Sequence, residues 1–179
     1  MKFLQSGLMA LITTVAIIFA TPAHAEYEVD TDFYQKQLLT IQEEKELHCL
    51  AQNIYHEAGS ESYDGKLAVA QVTVNRAESG KFPDTVCGVV KQKSVLQGRT
   101  VCQFSWFCSA KARIKLPFNS EMYQESLRAA RQVLIDGLEL VKLKDALYFH
   151  AGHVNPNWGK VRVAKIGNHV FYRDHRLVK

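Results

Sequence analysis

The first 25 residues constrain the chain most, because they read as a secretory signal peptide and would not be part of the folded protein. Lys2 supplies a positive start, residues 8–20 an apolar centre, and Ala23-His24-Ala25 a small-residue cleavage site. The apolar run falls short of the roughly 20 residues that a bilayer span needs, so an uncleaved anchor is the weaker interpretation. Cleavage would leave 154 of the 179 residues, enough to bury the core of one domain.

Three parts are expected along the chain. They are the signal peptide over 1–25, a polar leader over 26–42 that is loose or packs on the surface, and a folded domain over 43–179. No segment after the signal peptide is apolar enough to span a membrane.

All four cysteines fall in the part that would be exported, where oxidising conditions favour disulfides. Four cysteines allow three pairings. Cys102 and Cys108 bracket a short segment and could close a small loop, which would leave Cys49 with Cys87, and we favour this pairing. The cysteines lack the spacing of ordinary zinc knuckles, so a zinc role is the weaker alternative.

Apolar residues at helical spacing predict a first helix that begins near Glu43 and ends at Gly59. A second helix over about 63–76 is apolar on most sides and should be deeply buried. A third is expected from a cap at Asn119 or Ser120 to Gly137.

Two later segments, 146–150 and 165–172, are rich in aromatic and branched residues and predict two strands of a small sheet. Residues 91–112 have no clean period, which suggests a long structured loop around Trp106. Helices first and a small sheet late indicate an α+β domain, mainly helical with a small antiparallel sheet.

Helical phasing at about 100° per residue places Glu57 beside Leu50 and Asn53, at the edge of the apolar stripe, and turns His56 nearly the opposite way. Partial burial disfavours the charged form of a carboxyl group, and a carboxylic acid still protonated near neutral pH can act as a general acid. The position of Glu57 therefore suits proton donation to a glycosidic oxygen. The competing interpretation is a glutamate that caps or solvates a helix end.

The chain around Glu57 resembles a known family. The resemblance rests on LAQNIYHEAGSESYDGKLAVAQVTVNR, then FPDTVCGVV, CQFSW, YFH and IGNHVFYR, and covers about Leu47 to Arg173. These motifs are similar to the SleB-type cell wall hydrolase family, which includes spore cortex-lytic enzymes. The resemblance implies a lysozyme-like fold, peptidoglycan as substrate, cleavage between N-acetylmuramic acid and N-acetylglucosamine, and Glu57 as the catalytic glutamate. Many relatives have an Arg after the Glu-Ala pair, where this chain has Gly59.

Ordinary glycoside hydrolysis uses two carboxylates. Glu61 and Asp64 are the nearest candidates for a second one, and each can equally be a solvated loop residue. Without a second carboxylate, the 6-hydroxyl of the muramic sugar would attack its own anomeric carbon, as in lytic transglycosylases. The family contains such activity, so lytic transglycosylation is placed ahead of muramidase hydrolysis.

The segment from Gln103 to Trp106 offers an aromatic face and two polar side chains to a sugar ring. Trp106 can be either a sugar platform or a core residue beside a disulfide, and the sequence leaves both open. Phe149, His150 and Tyr172 are motif positions interpreted mainly as packing residues. The expected substrate-binding residues are Glu61, Gln103, Phe104, Ser105, Trp106, Tyr148 and His169.

Two other functional classes stay open. A zinc-dependent peptidoglycan amidase or peptidase would use His56 and Glu57 with His150 and His153, yet the helix lacks a second His at the spacing that puts two ligands on one face. A non-catalytic wall-binding protein would tolerate loss of Glu57. We expect no metal and no cofactor.

The charge and the signal peptide indicate where the chain acts. Cleavage removes one lysine and no acidic residue, so the net charge falls from +4 to +3, which suits an anionic polymer but is too small to argue for nucleic acid. We expect an exported monomer, periplasmic or secreted to the cell wall, with peptidoglycan as its partner. The lack of an obvious wall-binding repeat favours the periplasm slightly.

Overall fold

The computed structural model describes the backbone of residues 31–110 and 115–175, and the side chains in these ranges from Thr40 onward. The expected signal peptide and the first residues of the leader lie outside the described residues. Within the described part, no helix has the length and apolar character needed to cross a membrane.

Nearly half of the described chain is α-helical. The helices are α1 Thr31–Ala58, α2 Tyr63–Glu78, α3 Val86–Val90, α4 Ser105–Cys108 and α5 Glu121–Leu134, with a 3-10 turn at Val141–Leu143. The caps match the sequence prediction for α5, where the Ser120 hydroxyl accepts from the backbone N–H of Tyr123 at 3.2 Å. As predicted, α2 is buried along most of its length.

The first helix is longer than predicted. It begins at Thr31 rather than near Glu43, so residues 31–42, expected as a leader, are helical. These turns contain residues of good helix propensity and a side-chain hydrogen bond of 2.8 Å from Gln42 to Glu46. The sequence prediction had interpreted these residues as polar with scattered apolar side chains, and so began the helix too late.

Two small antiparallel sheets complete the fold. One is a hairpin of β1 Lys93–Leu96 and β2 Arg99–Cys102, and the other has strands β3 Tyr148–Ala151, β4 Val161–Ile166 and β5 His169–Arg173 in the order β3-β5-β4. The predicted α+β architecture, mainly helical with a small antiparallel sheet, is confirmed.

Two details of the strand prediction were wrong. Residues 91–112 contain a hairpin and a short helix instead of a loop, and the hairpin turns through Gln97 and Gly98, which both have positive φ. The segment 165–172 is two strands, because Gly167 adopts a φ of 55° and reverses the chain.

The core has two parts that meet at α2. One side of α2 contributes Val69 and Ala70 to a cluster with α1, α3, α4 and α5, and the other contributes Ala68 and Val72 to a smaller cluster. Phe171 of β5 belongs to the smaller cluster and is fully buried. The central helix therefore carries the sheet on one side and the helical layer on the other.

Both expected disulfides are present. Cys49–Cys87 joins α1 to α3, and Cys102–Cys108 joins β2 to the end of α4. The structure has no free cysteine among its described residues. The pairing favoured from the sequence is confirmed.

The two disulfides should differ in their contribution to stability. Replacing Cys49 and Cys87 by alanine should lower the free energy of unfolding by about 4 kcal/mol, and replacing Cys102 and Cys108 by about 2 kcal/mol, because loop entropy grows with loop length. The sequence separations are 38 and 6 residues. Urea unfolding without reductant, followed by far-UV circular dichroism, measures both, and a larger loss from the short loop would contradict the argument.

Candidate active site

Glu57 lies in the last turn of α1, half-buried, between two adjoining cavities. The first, called here the sheet-side cavity, has a volume of about 740 Å³ and is bounded by α4 and by strands β3 and β5. The second, the helix-side cavity, has a volume of about 360 Å³ and is bounded by Leu116, Pro117 and Met122. His56 and Glu57 line both, so an elongated ligand could pass from one cavity to the other over Glu57.

Asn53, one turn before Glu57, is fully buried and holds the end of α1 in place. The indole N–H of Trp106 donates to its Oδ1 at 3.0 Å, and its Nδ2 donates to the hydroxyl of Thr73 at 3.2 Å. The Thr73 hydroxyl in turn donates to the carbonyl oxygen of Val69 at 2.8 Å. This chain of bonds, called here the Asn53 network, links α1 to α4 and to α2.

Helical phasing predicted that His56 points nearly opposite to Glu57, and this prediction was wrong. Its ring stacks on Trp106, with centroids 4.3 Å apart and planes at 21°, and it lines both cavities. The phasing assumed that α1 packs on one side only. The structure packs α4 against a second side, so His56 and Glu57 border the same space.

Trp106 is a core residue, with 4% of its surface exposed. Its indole lies between Asn53 and the ring of His56, although it still contributes to the wall of the sheet-side cavity. Ser105 is exposed on the same wall, whereas Gln103 is exposed outside both cavities. Of the two interpretations left open for Trp106, the core residue fits the structure.

Arg76, at the end of α2, is a buried cation that the sequence interpretation missed. Its guanidinium lies over the rings of Phe82, Phe104 and Phe149, 5.2–5.8 Å from their centroids, and its Nε donates to the Leu147 carbonyl at 2.7 Å. Desolvation lowers its pKa to about 10, while the charges of Tyr148 and Glu57 act in the opposite direction.

Arg76 therefore stays positively charged at neutral pH, and its field reaches Glu57. Phe104, expected to bind substrate, is buried beneath this cation instead. A signal for Arg76 was present in the sequence, since a charged residue in a helix predicted to be buried on most sides needs a special environment.

His169, at the start of β5, lies in the wall of the sheet-side cavity with 7% of its surface exposed. Burial lowers its pKa, and the nearby charge of Glu61 opposes that shift. The imidazole is therefore neutral at pH 7. Its Nδ1 is buried and has no hydrogen-bond partner within the described ranges.

Glu61 lies outside both cavities and binds the turn before His169. Its carboxylate accepts from the backbone N–H and the side-chain amide of Asn168, each at 3.0 Å, across 107 residues of sequence. The backbone hydrogen bond is the main cause that lowers the pKa of Glu61, against a smaller opposing effect of burial. Glu61 thus fixes the β4–β5 turn against the loop between α1 and α2, and we call this pair of bonds the Glu61 tether.

Tyr148 and Asp64 also lie away from the cavities. The Tyr148 hydroxyl donates to Asp174 at 3.3 Å, and the Lys160 ammonium lies 4.1 Å from its ring centroid. Asp64 is exposed in the first turn of α2. Among the described residues that line the two cavities, Glu57 is the only acidic one.

Three further histidines join His56 around the sheet-side cavity: His150, His153 and His169. His150 is held by Tyr172, whose hydroxyl lies 2.9 Å from its Nε2. Across the described part of the chain, no group of three or more His, Cys, Asp or Glu side chains has the arrangement of a metal site.

Comparison with known proteins finds a family model described as Cell Wall Hydrolase, which matches residues 60–172. Glu57 lies just before the matched segment. The spore cortex-lytic enzyme of Bacillus subtilis is 28% identical over 134 residues, which cover 70% of this chain and 37% of that protein. The enzyme of the same name from Oceanobacillus iheyensis is 28% identical over 136 residues, covering 72% and 41%. The chain thus spans about two-fifths of the length of these relatives.

Two solved structures share the fold. The catalytic domain of the Bacillus cereus SleB protein has a TM-score of 0.54 at 25% identity, covering 73% of this chain and 91% of that one. The catalytic domain of the germination-specific lytic transglycosylase SleB from Bacillus anthracis has a TM-score of 0.53 at 25% identity, covering 72% and 93%. The lysozyme-like α+β fold expected from the sequence is confirmed.

The Glu61 tether should make stability depend on acid pH. The pKa of Glu61 is lower in the folded chain than its ordinary value of 4.5, so the stabilisation is complete above that value and is lost as the pH falls below it. Glu61→Gln should lower the free energy of unfolding by about 1 kcal/mol at pH 7 and by less at pH 3.5.

Urea unfolding at both pH values measures this effect, with Glu44→Gln as a matched control on an exposed part of α1. A Glu61→Gln deficit of the same size at both pH values would show that the ionised carboxylate is not what binds the turn.

Proposed function

The chain belongs to the Cell Wall Hydrolase family, and on that basis we propose that it cleaves peptidoglycan glycan strands between N-acetylmuramic acid and N-acetylglucosamine, with Glu57 as the catalytic acid. One observation carries the proposal. Glu57 is half-buried where two cavities adjoin, and it is the only acidic residue among the described residues that line them. A carboxyl group in that position meets the middle of a bound polymer, where an internal bond is cut.

The walls of the two cavities suit a general acid. Two aromatic rings and four imidazoles line the cavity on the sheet side of Glu57, and Leu116, Pro117 and Met122 line the cavity on its helix side. A strand lying in both cavities would displace water from the carboxyl group, which favours the protonated form that a donor requires. The glycosidic oxygen must come within about 3 Å of that proton.

Arg76 and His169 complete the electrostatics around Glu57. When Glu57 gives up its proton it becomes negative, and the buried positive charge of Arg76 stabilises that carboxylate. His169 offers the substrate a neutral imidazole, whose buried Nδ1 is without a protein partner among the described residues. It can therefore hydrogen-bond a sugar without adding charge beside the acid.

The single carboxylate favours lytic transglycosylation over hydrolysis. Glu57 protonates the glycosidic oxygen, and the bond from that oxygen to C1 of the muramic residue breaks, its electron pair leaving with the glucosamine. The 6-hydroxyl oxygen of the muramic residue then bonds to C1 while Glu57 takes its proton, which gives a 1,6-anhydro end and restores the acid. No water is consumed. Hydrolysis of the ordinary kind needs a second carboxylate, and Glu61 is engaged by Asn168 outside the cavities.

We extend the proposal to where the chain works. Two disulfides suit an oxidising compartment, in keeping with an exported enzyme that acts as a monomer on peptidoglycan in the periplasm or outside the cell.

Glu57→Gln keeps the shape of the side chain and removes its proton. It should slow the release of soluble fragments from purified sacculi by about 100-fold or more, while sedimentation with sacculi and the circular dichroism spectrum stay unchanged. Glu44→Gln, on an exposed face of the same helix, should cut at the parent rate. Full activity in Glu57→Gln would end the acid mechanism, and a purely wall-binding protein would release no fragments in any variant.

The products distinguish the reaction classes. Mass spectrometry of digested sacculi should find fragments that end in 1,6-anhydro-muramic acid, lighter by one water than the hydrolysis products. Reducing muramic ends would instead assign hydrolysis. Free stem peptides would assign an amidase, and activity lost with EDTA and restored by zinc would place that amidase in the metal-dependent class.

A further inference from the structure

An exposed tryptophan lies next to the sheet-side cavity and takes no part in the reaction described above. Trp158, in the segment between β3 and β4, has 44% of its surface exposed. It is one of only two tryptophans in the chain. The other, Trp106, is in the core, so the exposed aromatic surface that the sequence suggested for a sugar is found at Trp158 instead.

Three aromatic rings contact Trp158. Its ring centroid lies 5.5 Å from His150, 5.9 Å from Tyr172 and 6.4 Å from Tyr148, with the planes at 83°, 74° and 59°. His150 and Tyr172 are themselves stacked and joined by a hydrogen bond of 2.9 Å. Because several rings support it, the indole has a defined orientation while much of it faces water.

This aromatic group is continuous with the site of Glu57. His150 lines the sheet-side cavity and also contacts Trp158. Trp158 is therefore separated from the cavity lining by one ring, that of His150.

We propose that Trp158 is the stacking platform of a distal subsite that binds a pyranose ring of the same glycan strand. The inference rests on the proposed function for the identity of the ligand. The apolar C–H face of an acetamido sugar packs on an exposed aromatic ring, and a rigid indole loses little conformational freedom when it does so. A second subsite gives longer strands an advantage over short ones, since both rings are held at once.

The test measures binding apart from cleavage. In a Glu57→Gln background, isothermal titration calorimetry compares peptide-free glycan strands prepared from sacculi, in a short fraction and a long fraction. Trp158→Ala should weaken binding of the long fraction by about threefold to tenfold and leave the short fraction unaffected. Trp158→Phe keeps an aromatic face and should retain most of the affinity. Val141→Ala removes exposed apolar surface that lines neither cavity, and should change nothing.

The subsite would be overturned if Trp158→Ala and its parent bound long strands with equal affinity. It would also be overturned if Trp158→Ala lost the same affinity for long and short strands, or if neither protein bound any strands. The proposed reaction is judged separately, by fragment release with Glu57 intact. Strands held through Trp158 but never cut would leave the subsite standing and remove the reaction. If the enzyme cuts strands through Glu57 but its affinity for them is unchanged by Trp158→Ala, the reaction stands and the subsite is removed.

Discussion

The rest of the site depends on one buried amide, the side chain of Asn53. Burying an amide is costly unless its polar atoms are hydrogen-bonded. The side-chain oxygen of Asn53 accepts from Trp106 and its nitrogen donates to Thr73, and these two partners lie on two other helices. Together the two bonds restrict where the end of α1 can lie. This restriction fixes Trp106, on which His56 stacks, and it helps to set the direction of Glu57 one turn later. The direction of Glu57 therefore depends on core packing as well as on local helix geometry.

Much of the fold could be predicted because its signals are local. The apolar period and caps of α2 and α5 and the spacing of the cysteines each depend on neighbouring residues. The β1–β2 hairpin gave no such signal, since seven of its eight strand residues are exposed and no face alternates. The β4–β5 turn lay within a run of branched and aromatic residues, where the pair Gly167-Asn168 was the indication of a reversal.

Part of the candidate site could also be predicted, because some of its signals are local in the sequence. The position of Glu57 at the edge of an apolar stripe is a property of one helix, and the resemblance to a family suggested the role that we propose for it. His56 and Trp106 were misplaced or left open because their positions depend on α4 packing against α1, which the phasing of one helix omits. The environment of Arg76 was not predicted, because the rings that surround it, Phe82, Phe104 and Phe149, come from three different segments of the chain.

The Glu61 tether joins segments 107 residues apart, and it connects the loop after Glu57 to the turn that carries His169. One part of the sheet-side cavity wall thus comes from the first helix, and another part comes from the last hairpin. A chain cut between these segments before folding would hold Glu57 without the wall that carries His169. The sheet-side cavity therefore exists only in the completed fold, because the first helix and the last hairpin must both be in place to form it.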